Sequence, residues 1–317
     1  MNLVNNLAGQ VVKFDLPRSN FLSAFGFQIN ISGTGALTGS HTLDHVRVRA
    51  NGSGVWLDVT GGELRAIDKF ETGRENATFG GLNANIFEAY YLFGRFRQDE
   101  QVLFPAKVFK TLQVEFTVST GAFATSLNSS LLSLWTEELV SNVDPRTKAV
   151  RKLTSLATLA TNGASKEFKQ KMGLGNIIRG IYLHATDIPA LGANGAAAAT
   201  GDRDLSGTGT IDLIVNNGAE VPISQTLQAI AARNVGTYRL QDGVLPGAEA
   251  TSPLSNDFQG AAVSDLMVKL DFDIDDSGRY AIDTSRMNEL QVGITAGANA
   301  TNAMSVTYIT DEILAVG

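Results

Sequence analysis

Two stretches of the chain carry the same signals in the same order. Residues 46–67 and 212–230 each read as an alternating strand, an Asn-Gly turn, a short β run and a turn into a helix with an L-x-A-I pattern. Asn51-Gly52 matches Asn217-Gly218, and Leu64, Ala66 and Ile67 match Leu227, Ala229 and Ile230. A second echo lies downstream, where Leu112-Gln113-Val114 matches Leu290-Gln291-Val292, an offset of 290 − 112 = 178. Held without a gap, that offset places Leu92 on Leu270, Phe96 on Ile274, Val102 on Tyr280 and Phe104 on Ile282. A repeat with preserved order constrains the fold more than any local pattern, and here it predicts two copies of one all-β unit.

Length agrees, since 317 residues suffice for two domains of ordinary size. The Gly content (32 residues) and the 18% charged fraction predict many turns and large contact surfaces. A net charge of −7 carries no footprint for specific nucleic-acid binding, which needs clustered Lys and Arg. The absence of Cys excludes disulfides, thiolate catalysis and Cys-based zinc sites. The first ten residues have neither the basic nor the apolar region of a signal peptide. No run approaches the ~18–20 apolar residues of a spanning helix, so any membrane contact is expected to be peripheral.

Along the chain, Val11–Leu16, Phe21–Ile31, Val46–Arg49, Val55–Val59, residues 86–97 and Thr111–Ser119 read as strands by period-two alternation or apolar density. Thr60-Gly-Gly-Glu63 fits a capping box, and Ser224 is the expected cap of the matching helix. Residues 126–175 look different. Leu131, Leu134, Trp135 and Leu139 have helical spacing before Asp144-Pro145, Lys148–Leu159 is a second helical candidate, and Ser165 begins a third with Phe168 and Met172. This predicts a helical linker at 126–175 between domains at 1–125 and 176–317. Strands are expected again at 176–183, 211–215, 263–274, 279–283, 289–295 and 304–310, with an Ala/Gly-rich loop at 189–209. Met1, Leu3, Val4 and Leu7 place one apolar face on a short N-terminal helix, able to touch a membrane or a neighbour. Seven or eight strands per half, with turns every eight to twelve residues, fit a sandwich or jelly roll.

The order of these pieces resembles the double jelly-roll major capsid proteins of tailless icosahedral viruses with an internal membrane, in particular the corticovirus type. The likeness rests on Lys13-Phe14-Asp15-Leu16-Pro17 after a short arm and on the V-R-V strand with its N-G turn and capped helix. It rests also on a basic helix expected at Lys166–Lys171, the repeated strand–turn–helix and the C-terminal strands around Leu290–Thr295 and Met304–Ile309. It implies an all-β fold of two tandem eight-stranded jelly-roll barrels joined by a short helical linker. It further implies homotrimeric, pseudo-hexagonal capsomers tiling an icosahedral shell around a membrane. Partners would be neighbouring capsomers, penton or vertex proteins and minor capsid proteins. The chain would be made in the host cytoplasm, reside in the virion and have no enzymatic activity. The competing readings are a receptor- or carbohydrate-binding, spike-like β-sandwich and a double jelly-roll glycan amidase or hydrolase.

Chemical motifs are sparse. Asp202, Asp204, Ser206 and Gly207 match positions of a calcium loop whose twelfth position falls on Leu213, beside Asp212. Asp202, Asp204 and Asp212 are therefore a weak candidate calcium set, with an acidic surface turn as the plain alternative. Asp271, Asp273, Asp275 and Asp276 form a denser acidic group, read as solvated turn residues or as a divalent-ion bridge between subunits. His41, His45 and His184 lack the pattern of a jelly-roll metal centre. No phosphate loop and no G-x-S-x-G elbow occurs. Tyr90, Tyr91, Phe93 and Phe96 read as core or interface rather than as a sugar platform.

Overall fold

The computed structural model describes residues 2–5, 7–33, 43–72, 86–96, 99–120, 127–140, 149–160, 167–186, 208–226, 266–273, 279–296 and 305–315, with single residues or pairs between 229 and 237 and at 275 and 277. It separates into two compact units. Unit 1 holds Met1–Thr154 and Ile313–Gly317, and unit 2 holds Ser155–Asp257 and Ala262–Glu312.

Unit 1 is built from β1 (Asn2–Asn5), β2 (Val11–Asp15), β3 (Phe21–Gly33), β4 (Leu43–Ala50), β5 (Gly54–Val59), α1 (Gly61–Thr72), β6 (Ile86–Leu92), β7 (Leu112–Val118), β8 (Leu127–Leu139) and the start of β9 (Ala149–Ala160). One sheet has the order β1-β8-β3-β6 and the other β9-β5-β4-β7-β2. Alternation decides what lies between them. Val12, Phe14, Val46, Val48, Leu57, Val59, Val114 and Phe116 are buried on one sheet, and Phe25, Phe27, Ile29, Phe87 and Leu132 on the other. Phe27 of β3 meets Phe116 of β7 with ring centroids 4.8 Å apart, so the two inner faces touch through aromatic rings.

Unit 2 repeats this plan with the rest of β9, β10 (Glu167–Lys171), β11 (Ile177–Thr186), β12 (Thr208–Val215), β13 (Glu220–Thr226), β14 (Leu266–Asp271), β15 (Ile282–Asp283), β16 (Leu290–Ala296) and β17 (Ser305–Ala315). Its sheet orders are β10-β16-β12-β13 and β14-β11-β17-β9, with β15 pairing on β11. They match β2-β7-β4-β5 and β6-β3-β8-β1 strand for strand.

Backbone hydrogen bonds fix the correspondence to the residue. The Leu16 amide donates to the Leu112 carbonyl at 2.9 Å, and the Met172 amide to the Leu290 carbonyl at 2.9 Å. The Phe93 amide donates to the Ser23 carbonyl, and Phe272 to Arg179, both at 2.9 Å. Leu22 bridges Phe104 as Ile178 pairs with Ile282. The offset is therefore 172 − 16 = 156 for β2 and β3, 272 − 93 = 179 after β6, and 290 − 112 = 178 from Phe104 through β7. The ungapped alignment holds at Phe104/Ile282 and Leu112/Leu290. It slips by one at β6, where the counterpart of Leu92 is Asp271, not Leu270, because Leu92 pairs with Ala24 as Asp271 pairs with Gly180.

The Asn-Gly turns correspond through a different residue than the sequence match suggests. The Asn51 side-chain carbonyl accepts from the Lys110 amide at 2.7 Å, and its own amide donates to the Thr111 carbonyl at 2.9 Å. Asn216, not Asn217, repeats this, accepting from the Asn288 amide at 3.1 Å and donating to the Glu289 carbonyl at 2.9 Å. The second turn holds one extra residue. Asn51, Asn216 and Asn217 all have positive φ (51°, 51° and 59°), a region that Asn tolerates through its short polar side chain.

That inserted residue also moves the helix. Thr60 and Glu63 form the expected capping box, with the Thr60 amide donating to Glu63 Oε2 at 2.8 Å and the Glu63 amide to Thr60 Oγ1 at 3.2 Å. In unit 2 the cap is Thr226, which accepts from the Ala229 amide at 3.2 Å. Ser224 is not the cap; it lies inside β13 opposite Asp212. The L-x-A-I match is thus three residues out of structural phase. Leu64 corresponds to Ile230, both buried, whereas Ala66 is buried and Ala229 exposed.

Among the described residues the expected helical linker is replaced by strands. Residues 127–139, 149–160 and 167–171 are the strands β8, β9 and β10. Helical spacing at Leu131, Leu134, Trp135 and Leu139 misled because β8 is only partly buried: Leu132 alone among its described side chains is fully enclosed. The Lys148–Leu159 candidate is β9, and the Ser165 candidate with Phe168 is β10. The N-terminal helix is likewise replaced by β1, paired antiparallel with β8 from Asn2↔Ser133 to Asn5↔Ser130. Asp144-Pro145, most of the loop 189–209 and Met304 lie outside the described residues.

Candidate functional site

The predicted acidic and histidine positions fall in different environments. Asp202 and Asp204 lie outside the described residues. Asp212 sits half-buried on β12, opposite Ser224 on β13 and Gly293 on β16. Among the described residues, no group of three or more His, Asp or Glu is placed to hold a metal ion. His41 is outside the described residues, His184 is buried on β11, and His45 is exposed with Nδ1 3.2 Å from Asp58 Oδ1.

The dense acidic group divides. Asp273 is 1% exposed and pairs with Arg179, Nε to Oδ2 at 3.2 Å. Arg179 also reaches Asp311 Oδ2 at 3.5 Å, and all three side chains are buried. Asp271 accepts from the Asp273 amide at 3.1 Å and lies 3.5 Å from Lys269 Nζ. The Lys269 ammonium in turn sits 5.4 Å from the centre of the Tyr182 ring. Asp275 stays in an exposed turn, where the Ser277 hydroxyl and amide donate to it and hold its carboxyl below the usual range. Asp276 is outside the described residues. Sequence gave no sign of the Arg179 network, because Ile177-Ile178-Arg179-Gly180-Ile181 reads as an apolar strand with one misplaced charge.

Unit 1 buries its charges elsewhere. Arg151, fully enclosed, donates to the Leu92 carbonyl at 3.1 Å, pairs with Glu71 and lies 5.5 Å from the centre of the Tyr91 ring. Arg95 and Asp99 form a two-pronged pair, Nε to Oδ2 at 2.7 Å and Nη2 to Oδ1 at 3.1 Å. Tyr91 and Phe93 are core, and Phe96 is 47% exposed.

The outer face of β5-β4-β7-β2 carries a ladder of charges. Lys13 meets Glu115 at 3.0 Å, Arg47 meets Glu115 at 3.7 Å and Asp58 at 3.0 Å, and His45 meets Asp58. Burial raises the Glu115 pKa, but the Lys13 hydrogen bond and the charges of Lys13, Arg49 and Arg47 outweigh it and hold the carboxyl below its ordinary range. In unit 2 the same positions are Lys169, Gly293, Asp212 and Ser224, so this ladder is peculiar to unit 1. The outer face of the other sheet exposes Trp135 to 43%, lying flat on Gly26; a Cβ there would stand 2.4 Å from the indole.

Among the described residues these features are buried ion pairs, an exposed charge ladder and an exposed indole. No family model matches the sequence, and no curated protein matches it. Solved structures do match, over nearly the whole chain. The major capsid protein of Sulfolobus Turreted Icosahedral Virus superposes with a TM-score of 0.66 at 14% identity, covering 99% of this chain and 97% of that one. The major capsid protein P2 from Bacteriophage PM2 gives a TM-score of 0.58 at 13% identity, with coverage of 99% and 97%. The PBCV-1 virus capsid gives a TM-score of 0.58 at 10% identity, with coverage of 99% and 94%. The chain has the double jelly-roll fold of these solved major capsid proteins.

Proposed function

We propose that this chain is a viral major capsid protein, with a structural and not an enzymatic role, whose copies assemble into the virion shell. The observation that carries the reading is end-to-end coverage. Both jelly rolls match, with little left over on either side, in proteins whose names describe capsid building blocks. The charge ladder and the exposed Trp135, Val140 (78% exposed) and Tyr280 (62% exposed) support a molecule that meets copies of itself over broad surfaces.

In its finer form the reading has three copies forming a capsomer of pseudo-hexagonal outline in an icosahedral shell over an internal membrane. Vertex and minor capsid proteins would be its other neighbours. The domain division belongs to the same proposal in a changed form: one roll in each unit, divided within β9, with β8 and β10 part of the rolls and not of a connecting stretch at 126–175. Calcium at Asp202, Asp204 and Asp212 is an optional element of it.

Light scattering on the purified chain tests this. The expected mass is about 101 kDa, three times 33.6 kDa. A monomer at high concentration overturns the capsomer. Loss of the trimer on chelation assigns a structural role to bound calcium, and an unchanged mass removes that role.

A further inference from the structure

Asn-Gly is a reactive pair as well as a turn signal. The Gly amide nitrogen can attack the carbonyl carbon of the Asn side chain, and glycine puts no Cβ in the way. The sequence holds four such pairs, Asn51-Gly52, Asn162-Gly163, Asn194-Gly195 and Asn217-Gly218. The second and third lie outside the described residues. The first and last form the turns after β4 and β12, one in each unit.

These two turns offer the reaction nearly the same backbone. Asn51 and Asn217 have φ of 51° and 59°, and Gly52 and Gly218 have φ of 78° and 85°. All four residues are exposed. Nothing lies within 4 Å of the place that a Cβ would take on either glycine. The asparagine side chains differ. The Asn51 carbonyl accepts from the Lys110 amide at 2.7 Å and the Thr111 amide at 3.4 Å, which holds it against β7 and away from Gly52. In unit 2 the extra turn residue gives that task to Asn216, which accepts from the Asn288 amide at 3.1 Å. Asn217 keeps only the left-handed backbone position. Among the described residues no hydrogen bond holds its side chain.

We propose that Asn217 is a site of spontaneous deamidation and that Asn51 is its protected counterpart. The Gly218 nitrogen, after losing its proton, forms a bond to Asn217 Cγ. The bond from Cγ to the side-chain nitrogen breaks, and ammonia carries that nitrogen and the proton away. Water then opens the five-membered succinimide at either carbonyl, leaving aspartate or isoaspartate. The net exchange is one water taken up for one ammonia released, with no oxidant or reductant. Either product adds a negative charge beside the exposed Glu220, and isoaspartate also lengthens the main chain of the turn by one carbon. Of the two matching turns, only the one in unit 2 changes its charge with age. This inference does not depend on the capsid reading.

Peptide mapping by mass spectrometry reads both sites in one sample of the purified chain, held folded in warm, mildly alkaline buffer. Product should appear at position 217 roughly tenfold or more faster than at position 51, the factor expected where one or two net hydrogen bonds must open first. In urea strong enough to unfold the chain the two rates should converge, because the fold no longer holds Asn51. Asn217→Gln, whose longer side chain closes a ring far less readily, should leave this turn unmodified. No conversion at Asn217 in the folded chain, or equal rates at the two sites, overturns the proposal. A difference that persists unchanged in urea also overturns it, since it then arises from flanking sequence and not from the hydrogen bonds. If Asn217→Gln does not fold, the folded and unfolded wild-type rates decide alone.

Discussion

Replacing Arg179 with Met separates packing from charge at the centre of unit 2. The guanidinium lies 3.2 Å from Asp273 and 3.5 Å from Asp311, and these side chains are 2%, 0% and 0% exposed. Met keeps much of the volume but leaves two carboxylates buried beside each other without that cation. Removing one partner of a buried pair typically costs about 3–5 kcal/mol, chiefly because a charge is left uncompensated. With a urea dependence of ~2 kcal/mol/M, the midpoint should fall by roughly 1.5–2.5 M. Far-UV circular dichroism during a urea titration measures this. The triple variant Arg179→Met/Asp273→Asn/Asp311→Asn should recover most of the loss, since no buried charge is then orphaned. A single variant as stable as wild type at neutral pH would refute the claim that Arg179 compensates the two carboxylates.

Two further outcomes follow from the caps and from Asp99. Thr226→Ala should cost about 1 kcal/mol and Ser224→Ala under ~0.5 kcal/mol in a thermal or urea melt, because only Thr226 caps a helix; the reverse order would restore Ser224 as the cap. Burial raises the Asp99 pKa, but the Arg95 side chain and the amides of Gln101 and Arg95 outweigh it, so the folded value is depressed. Its contribution is therefore present above the ordinary Asp value of ~3.9 and is lost as pH falls through the lower folded value. The stability gap between wild type and Asp99→Asn should be full at neutral pH and close in that acid window, as read by urea midpoints across pH; a gap independent of pH would refute it.

Much of the architecture was legible because it rests on patterns that survive duplication. The V-R-V-R alternation, the capping box at Thr60 and Glu63 and the L-Q-V strands each follow from a local rule that needs no tertiary information. The connecting stretch was not legible, for a physical reason. β8 and β9 contain Leu, Ser, Thr and Ala in an order compatible with either period, and their described side chains are unevenly buried. Only pairing with β3 and β5 decides for strand. The Asn51 counterpart was misassigned because Asn216 and Asn217 are adjacent and identical. The choice between them lies in hydrogen bonds to residues 72 and 73 positions away in sequence (288 − 216 and 289 − 216). Of the calcium set Asp202, Asp204 and Asp212, only Asp212 is among the described residues.

What the two units keep and what they change points to where specificity resides. They keep groups that satisfy the backbone. Asp68 accepts from the Tyr90 amide at 3.1 Å, and its counterpart Asn234 accepts from the Lys269 amide at 2.8 Å, one a carboxylate and the other an amide. Either side chain serves, because the task is to accept one hydrogen bond from a buried strand. They change most of the charge ladder, of which only Lys13 keeps its charge, as Lys169. Arg47 becomes Asp212, Glu115 becomes Gly293, and the buried Arg179 stands where unit 1 has Ser23. A sheet tolerates such exchanges as long as its inner face and its ladder are intact. The duplicated frame therefore fixes how each unit folds and leaves the outer faces free to diverge.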